Sequence, residues 1–221
     1  MEKINLNKPI FIAFSGGCFS GKTTTLNALK DVLESNGIKV KTLDELIRKE
    51  KYTSIDELRK KPVTYINTQF NIIQNKILQE LKAFNSNEPV IWLFDRALTD
   101  SLFYYEFYVD KSNLNATCLR EYCDFYNKLK YAIAYSFSRL DLLIEFKPLK
   151  NTAYNTDKMR PANLESLSEI EYTGIHRLNI YYGLYYGKNN VTRYSINLSD
   201  STSNDCIQSI INIIQSKCKE K

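Results

Sequence analysis

The chain has 221 residues, of which 43% are hydrophobic and 25% charged, with a formal net charge of +5. This length fits one domain with a core large enough to need no staples, and the composition excludes a disordered chain. Five cysteines (Cys18, Cys118, Cys123, Cys206, Cys218) form no CxxC pair and only one histidine, His176, is present, which argues against a Cys/His zinc site and for reduced thiols in the cytoplasm.

In chain order, Pro9–Phe14 is a short apolar run that ends at Ser15-Gly16-Gly17. It is predicted as a strand buried on both faces, and it is too short for a signal segment or a membrane span. Lys22–Asn36 has helical spacing, with Leu26, Leu29 and Leu33 on one face and Gly37 placed as a C-terminal cap. Ile38–Leu43 is the second predicted strand, followed by Asp44-Glu45. Ser54–Glu57 has the pattern of a capping box. Val63–Phe84 is a long predicted helix with Ile66, Phe70, Ile73, Ile77, Leu81 and Phe84 spaced by three or four. Glu88–Phe94 is the third strand and runs into Asp95-Arg96. Helices over Thr99–Val109 and Asn115–Phe137 precede a fourth strand, Leu140–Phe146. Lys147–Leu167 is polar, holds Pro148 and Pro161, and reads as a loop or lid. A helix over Ser168–Tyr186, a strand over Val191–Leu198 and an amphipathic helix over Ser203–Lys217 complete the chain. Strands alternate with helices throughout, so the expected fold is α/β, with a parallel sheet of about five strands and helices on both faces.

Three of the seven glycines fall within six residues, in Gly16-Gly17-Cys18-Phe19-Ser20-Gly21-Lys22-Thr23. This segment fits G-x-x-x-x-G-K-[ST] and has the strand before it and the helix after it that the motif requires. Glycines allow a tight turn whose N–H groups surround phosphate oxygens, and the following helix adds the positive end of its dipole. Gly16 to Thr24 are the expected nucleotide-binding residues. Lys22 reaches the β- and γ-phosphates and Thr23 is the expected Mg²⁺ ligand. A P-loop needs an acidic residue to hold the metal's water shell, usually at the tip of a neighbouring strand. Asp95 has that placement, and Arg96 beside it is suited to gripping a phosphate or orienting Asp95. Glu45 closes the second strand with Arg48 one turn on. Spacing alone leaves two readings open for this pair: a substrate-binding carboxylate with its arginine, or an exposed i,i+3 ion pair.

With these residues in view, the chain resembles P-loop kinases of the nucleoside and nucleoside-monophosphate kinase group and, more narrowly, the AAA-type domain of NadR-like nicotinamide riboside kinases. Four segments carry the resemblance. They are the loop Gly16–Thr23; Glu45-Leu-Ile-Arg48, similar to an E-x-x-R after the second strand; Phe94-Asp-Arg-Ala-Leu-Thr-Asp-Ser101 with Tyr104-Tyr105, similar to D-R-x-x-x-D; and Asp157-Lys-Met-Arg160, similar to a D-G-x-R lid with Lys158 in place of the glycine. The resemblance implies one P-loop kinase domain over residues 1–221, with a lid near Thr152–Leu164 and Arg160 reaching over ATP from it. Arg177 is a weaker candidate for the same work.

The expected activity is ATP- and Mg²⁺-dependent phosphoryl transfer to a small nucleoside or nucleotide. The catalytic set is Lys22, Glu45, Asp95, Arg96 and Arg160. Glu45, Arg48, Arg96, Tyr104 and Tyr105 lie toward the acceptor. A nucleotide-dependent ATPase regulator, a polynucleotide 5′-kinase and a binding module with a vestigial loop are the alternatives. The charge pattern shows no dense basic stripe for nucleic acid, no membrane partner is expected, and a homodimer is allowed for. His176 reads as a surface or packed residue. Tyr181-Tyr182 and Tyr185-Tyr186 read as a packed stripe, Cys118 and Cys123 as buried thiols, and Cys18 as filler within the loop.

Overall fold

The computed structural model describes residues 6–18, 20–43, 60–109, 111–148, 164–187, 191–198 and 203–219. Five strands, β1 (Ile10–Ser15), β2 (Val40–Leu43), β3 (Ile91–Asp95), β4 (Leu142–Phe146) and β5 (Thr192–Ile196), form one sheet in the order β2-β3-β1-β4-β5. Every neighbouring pair is parallel. The helices are α1 (Lys22–Ser35), α2 (Pro62–Phe84), α3 (Leu98–Phe107), α4 (Ala116–Arg139), α5 (Leu164–Tyr186) and α6 (Ser203–Lys219). The expected α/β architecture is therefore the observed one.

The central strand explains the layering. All six residues of β1 are buried, and successive side chains point to opposite faces. Ile10, Ile12 and Phe14 enter one core with Leu26, Leu29 and Leu33 of α1 and Ile207, Ile210, Ile211 and Ile214 of α6. Phe11 and Ala13 enter the other, built from α2, α3, α4 and α5 around Ile73, Phe94, Leu102, Leu129 and Phe137. At the β2 edge, Lys39 and Lys41 both clasp the Glu88 carboxylate and hold its pKa down at about 2.

The register lines up chemistry at one edge. Phe14 pairs with Asp95 across β1 and β3, and Ser15 pairs with Glu145 across β1 and β4. Ser15 and Asp95 close their strands and Glu145 is the penultimate residue of β4, so three neighbouring strands carry polar side chains at the edge where parallel sheets bind ligands.

Some expectations need correction. The α5 helix begins at Leu164, four residues before the expected start and inside the stretch read as loop. Within the tyrosine stripe only Tyr182 packs in the core. Tyr181, Tyr185 and Tyr186 are exposed, Tyr185 to 72%, and touch mainly one another's rings. A four-residue repeat on a helix fixes which rings are neighbours, not whether anything covers them. Cys118 is half-buried and Cys123 exposed, not buried thiols; none of the five cysteines is in a disulfide. On α2, Leu81 lies toward solvent while polar Lys76 and Glu80 are buried. The capping box at 54–57 and all but the last residue of the expected lid lie outside the described residues.

The α5 helix approaches α3 closely at Gly174, where a Cβ would lie 2.2 Å from the Phe103 ring. Helix propensity alone favours alanine over glycine by up to about 1 kcal/mol, but overpacking a fitted ring costs about 1–3 kcal/mol. Gly174→Ala is expected to destabilise the protein, as read by the urea midpoint at unchanged m-value. A raised midpoint would mean that the ring yields.

Candidate functional site

The loop after β1 turns at two glycines whose positive φ would strain any other residue. Gly16 has φ 140° and a Cβ there would lie 2.6 Å from the Phe146 carbonyl oxygen. Gly21, at the start of α1, has φ 86° and a Cβ there would lie 2.4 Å from the Leu198 side chain. Lys22 is only 5% exposed. Its ammonium turns back over the loop and donates to the carbonyl oxygens of Gly16 (2.9 Å) and Gly17 and to Ser20 Oγ (3.0 Å). Backbone and lysine therefore form one compact cationic cradle. Phe19 lies outside the described residues, and Thr24 is exposed on the first turn of α1.

Thr23 and Asp95 meet as the motif requires. Thr23 Oγ1 donates to Asp95 Oδ2 at 2.8 Å. Asp95 Oδ1 is buried and accepts no hydrogen bond. A hydroxyl and a carboxylate with a spare buried oxygen, set beside a phosphate cradle, fit the hard oxygen donor set of Mg²⁺ and its water shell.

Arg96 follows Asp95 in the left-handed region, at φ 81°. For a residue with a Cβ this costs on the order of 1–3 kcal/mol and persists only where surrounding contacts enforce it. Those contacts are present. The guanidinium lies 3.4 Å from Gly16 O and 3.3 Å from the Tyr104 hydroxyl, 3.6 Å from Asp100 Oδ2 and 5.0 Å from the centre of the Tyr104 ring. Asp100, in the first turn of α3, is fully buried. It accepts from Ser15 Oγ and from the Gly16 amide (3.1 Å). Burial drives its carboxyl pKa up, against Arg96 and Lys22, which pull it down.

Two buried side chains of α5, Glu171 and Asn179, grip the loop from above and escape a sequence reading. Glu171 Oε2 accepts from the Cys18 amide (2.9 Å) and the Tyr104 hydroxyl (3.1 Å), and Oε1 accepts from the Tyr108 hydroxyl. Asn179 donates to Ser15 Oγ (2.8 Å) and to Glu145 Oε1 (3.1 Å), and accepts from Thr99. Glu145, at the end of β4, also binds His176 Nδ1 (3.0 Å) and Arg193 Nη2 (2.6 Å). His176, read as bland, therefore belongs to a polar chain that reaches the loop. The buried positions 171, 175, 179 and 182 repeat at helical spacing, but nothing in that pattern distinguishes a carboxylate on a loop amide from a core position. Arg177 is exposed on the opposite side of α5. Cys18 is more than filler, since its amide binds Glu171 and its sulfur lies 3.5 Å from the Tyr104 hydroxyl.

Of the expected site residues, Gly16, Gly17, Cys18, Ser20, Gly21, Lys22, Thr23, Asp95, Arg96 and Tyr104 come together. Glu45, Arg48 and Arg160 lie outside the described residues. Tyr105 points elsewhere: it is buried, stacks on Tyr122 at 4.8 Å, and borders a groove of about 1050 Å³ between α2 and α4 that includes neither the loop nor Asp95. No described helix is long and apolar enough to cross a membrane.

A parallel sheet whose central strand feeds a glycine-lined lysine cradle, with Thr23 on a strand-end aspartate, defines a P-loop nucleotide-binding protein. Comparison with known families narrows the class: residues 11–179 match the family described as AAA domain, and the chain belongs to that family. Among solved structures, it is similar to the NadR protein in complex with NR, with a TM-score of 0.61 and 16% identity. That match covers 93% of this chain and 52% of the NadR chain, so this chain spans about half the length of that one. No curated protein matches the sequence.

The raised Asp100 carboxyl gives a pH test. Its ordinary value is 3.8. A folded-state pKa above the unfolded one means that the stability tied to the bound proton is present below about pH 4 and is lost as pH rises through the folded value. The stability of the native chain relative to Asp100→Asn is expected to fall as pH increases from about 4 and then to level off. Urea unfolding across that range checks it, and a difference that grows with pH contradicts it.

Proposed function

We propose that this chain is an ATP-dependent kinase that transfers the terminal phosphoryl group to a small nucleoside or nucleotide. The reading is carried by one observation: Thr23 bonded to Asp95, whose second oxygen is buried without a partner, directly beside the Lys22 cradle.

Phosphoryl transfer asks the protein for placement and charge neutralisation rather than covalent chemistry. The loop amides and Lys22 would hold the phosphates; the three donors of Lys22, now turned to Gly16, Gly17 and Ser20, are those that a triphosphate competes for. Thr23 and Asp95 would hold Mg²⁺, which when bound neutralises charge on the phosphate oxygens. Arg96 would place a guanidinium beside the transferring group. Glu45 and Arg160 complete the scheme by resemblance, Glu45 accepting or orienting the acceptor hydroxyl and Arg160 closing from the lid. The similarity to a NadR protein solved with NR supports a nucleoside-like acceptor.

The test is a coupled assay of ADP release with Mg·ATP over nucleosides, nicotinamide riboside and nucleoside monophosphates. One acceptor class is expected to raise ADP release above the water background. Lys22→Ala is expected to remove about a hundredfold or more of that rate, the scale for losing one preorganised donor of charge stabilisation. If no acceptor stimulates release, and Glu45→Gln behaves as the native enzyme, the kinase reading fails and a regulatory ATPase takes its place.

A further inference from the structure

Resting on the reading of Arg96 as the guanidinium that meets the transferring phosphoryl group, we infer that Tyr104 is the positioning residue that holds Arg96 over the P-loop, with Glu171 fixing the direction of the Tyr104 hydroxyl proton.

The sequence offers Tyr104 as a stacking surface for the acceptor. Its surroundings assign it other work. The Arg96 guanidinium lies over the ring, 5.0 Å from its centre. The Tyr108 ring lies parallel to it at 5.9 Å, with 7° between the planes. The edge of Phe103 meets it at 5.7 Å. A ring covered by a cation and a second aromatic offers little face to a nucleobase.

The hydroxyl is more telling than the ring. It has one hydrogen and two lone pairs. Glu171 Oε2 accepts that hydrogen at 3.1 Å, so the oxygen faces its other neighbours as an acceptor. Arg96 Nη1 donates to it at 3.3 Å, and Cys18 Sγ lies 3.5 Å away. The same carboxylate oxygen takes the Cys18 amide. The bonds therefore run in one sense, from Arg96 through Tyr104 to Glu171, and meet the loop there; bonds aligned in this way reinforce one another. Burial raises the Tyr104 pKa well above its ordinary value, which keeps the proton in place. Asp100 holds Arg96 from a second side, so Tyr104 sets the distance from the loop while Asp100 anchors the charge.

A planar phosphoryl mimic separates positioning from folding and from ground-state binding. The probe is Mg·ADP titrated with and without aluminium fluoride. An enzyme complementary to the transferring group binds the mimic more tightly than ADP alone. The native chain is expected to show this preference, and Arg96→Ala to lose most of it. Tyr104→Phe keeps the ring and removes only the hydroxyl. It is expected to reduce the preference fivefold or more, to leave the affinity for Mg·ATP within twofold, and to add nothing further in an Arg96→Ala background.

The outcomes are distinguishable. If Arg96→Ala loses the preference while Tyr104→Phe keeps it, the inference is wrong and the kinase reading stands. If the native chain has no preference, or Arg96→Ala retains it, the role of Arg96 fails and the inference falls with it. A Tyr104→Phe variant that weakens Mg·ATP as much as the mimic assigns the hydroxyl to loop structure and likewise overturns it.

Discussion

The Asp100 carboxylate is sealed from water in the first turn of α3 and takes the Gly16 amide and the Ser15 hydroxyl. Burial works against the ionised form of the acid, and every group around it works the other way: two hydrogen bonds, a guanidinium, the Lys22 ammonium and the positive end of a helix. Because those partners are also the first residues of the P-loop and the arginine beside the metal-fitting aspartate, satisfying one buried carboxyl fixes the geometry of the whole cradle. The loop is shaped from behind, by the residue that its own backbone must stabilise.

The α5 helix supplies the second hold. Glu171 and Asn179 sit two turns apart on its buried side and reach Cys18 and Ser15, on either side of Gly16-Gly17. This helix follows the segment in which the lid is expected. Two side chains of one helix thus grip both flanks of the glycine turn. The close fit of Gly174 on Phe103 leaves α5 little room to slide along α3.

Much of the fold and part of the site are legible in the sequence. The P-loop is contiguous, so its pattern is local, and the apolar run before it and the leucines after it carry the strand and helix in their own periodicity. Asp95 was legible because a strand end is a position a sequence can mark. Glu171 was not: it meets Cys18 across 153 residues, and a glutamate among tyrosines on a helix has no local signature of the amide it will accept. The sequence places the start of α5 too late because Pro161 and the polar stretch before it outweigh the first helical turn. The tyrosines of that helix were misplaced for a different reason: spacing reports neighbours along one face, and exposure is decided by what other elements bring to it. Tyr104 and Tyr105 are adjacent in sequence, yet the turn of a helix sends one to the loop and the other to the groove between α2 and α4.

The strand order has a consequence for how the chain is made. β1 lies at the centre of the sheet and pairs only with β3 and β4. On a ribosome, the apolar segment that carries the loop emerges before both of its strand partners and has none until Ile91–Asp95 has been added. At roughly 5–20 residues per second, about 80 residues of waiting is several seconds, during which α1 and then α2 can cover the two faces of the strand while its edges stay unpaired. An unpaired strand edge of this kind is where misassociation between growing chains starts.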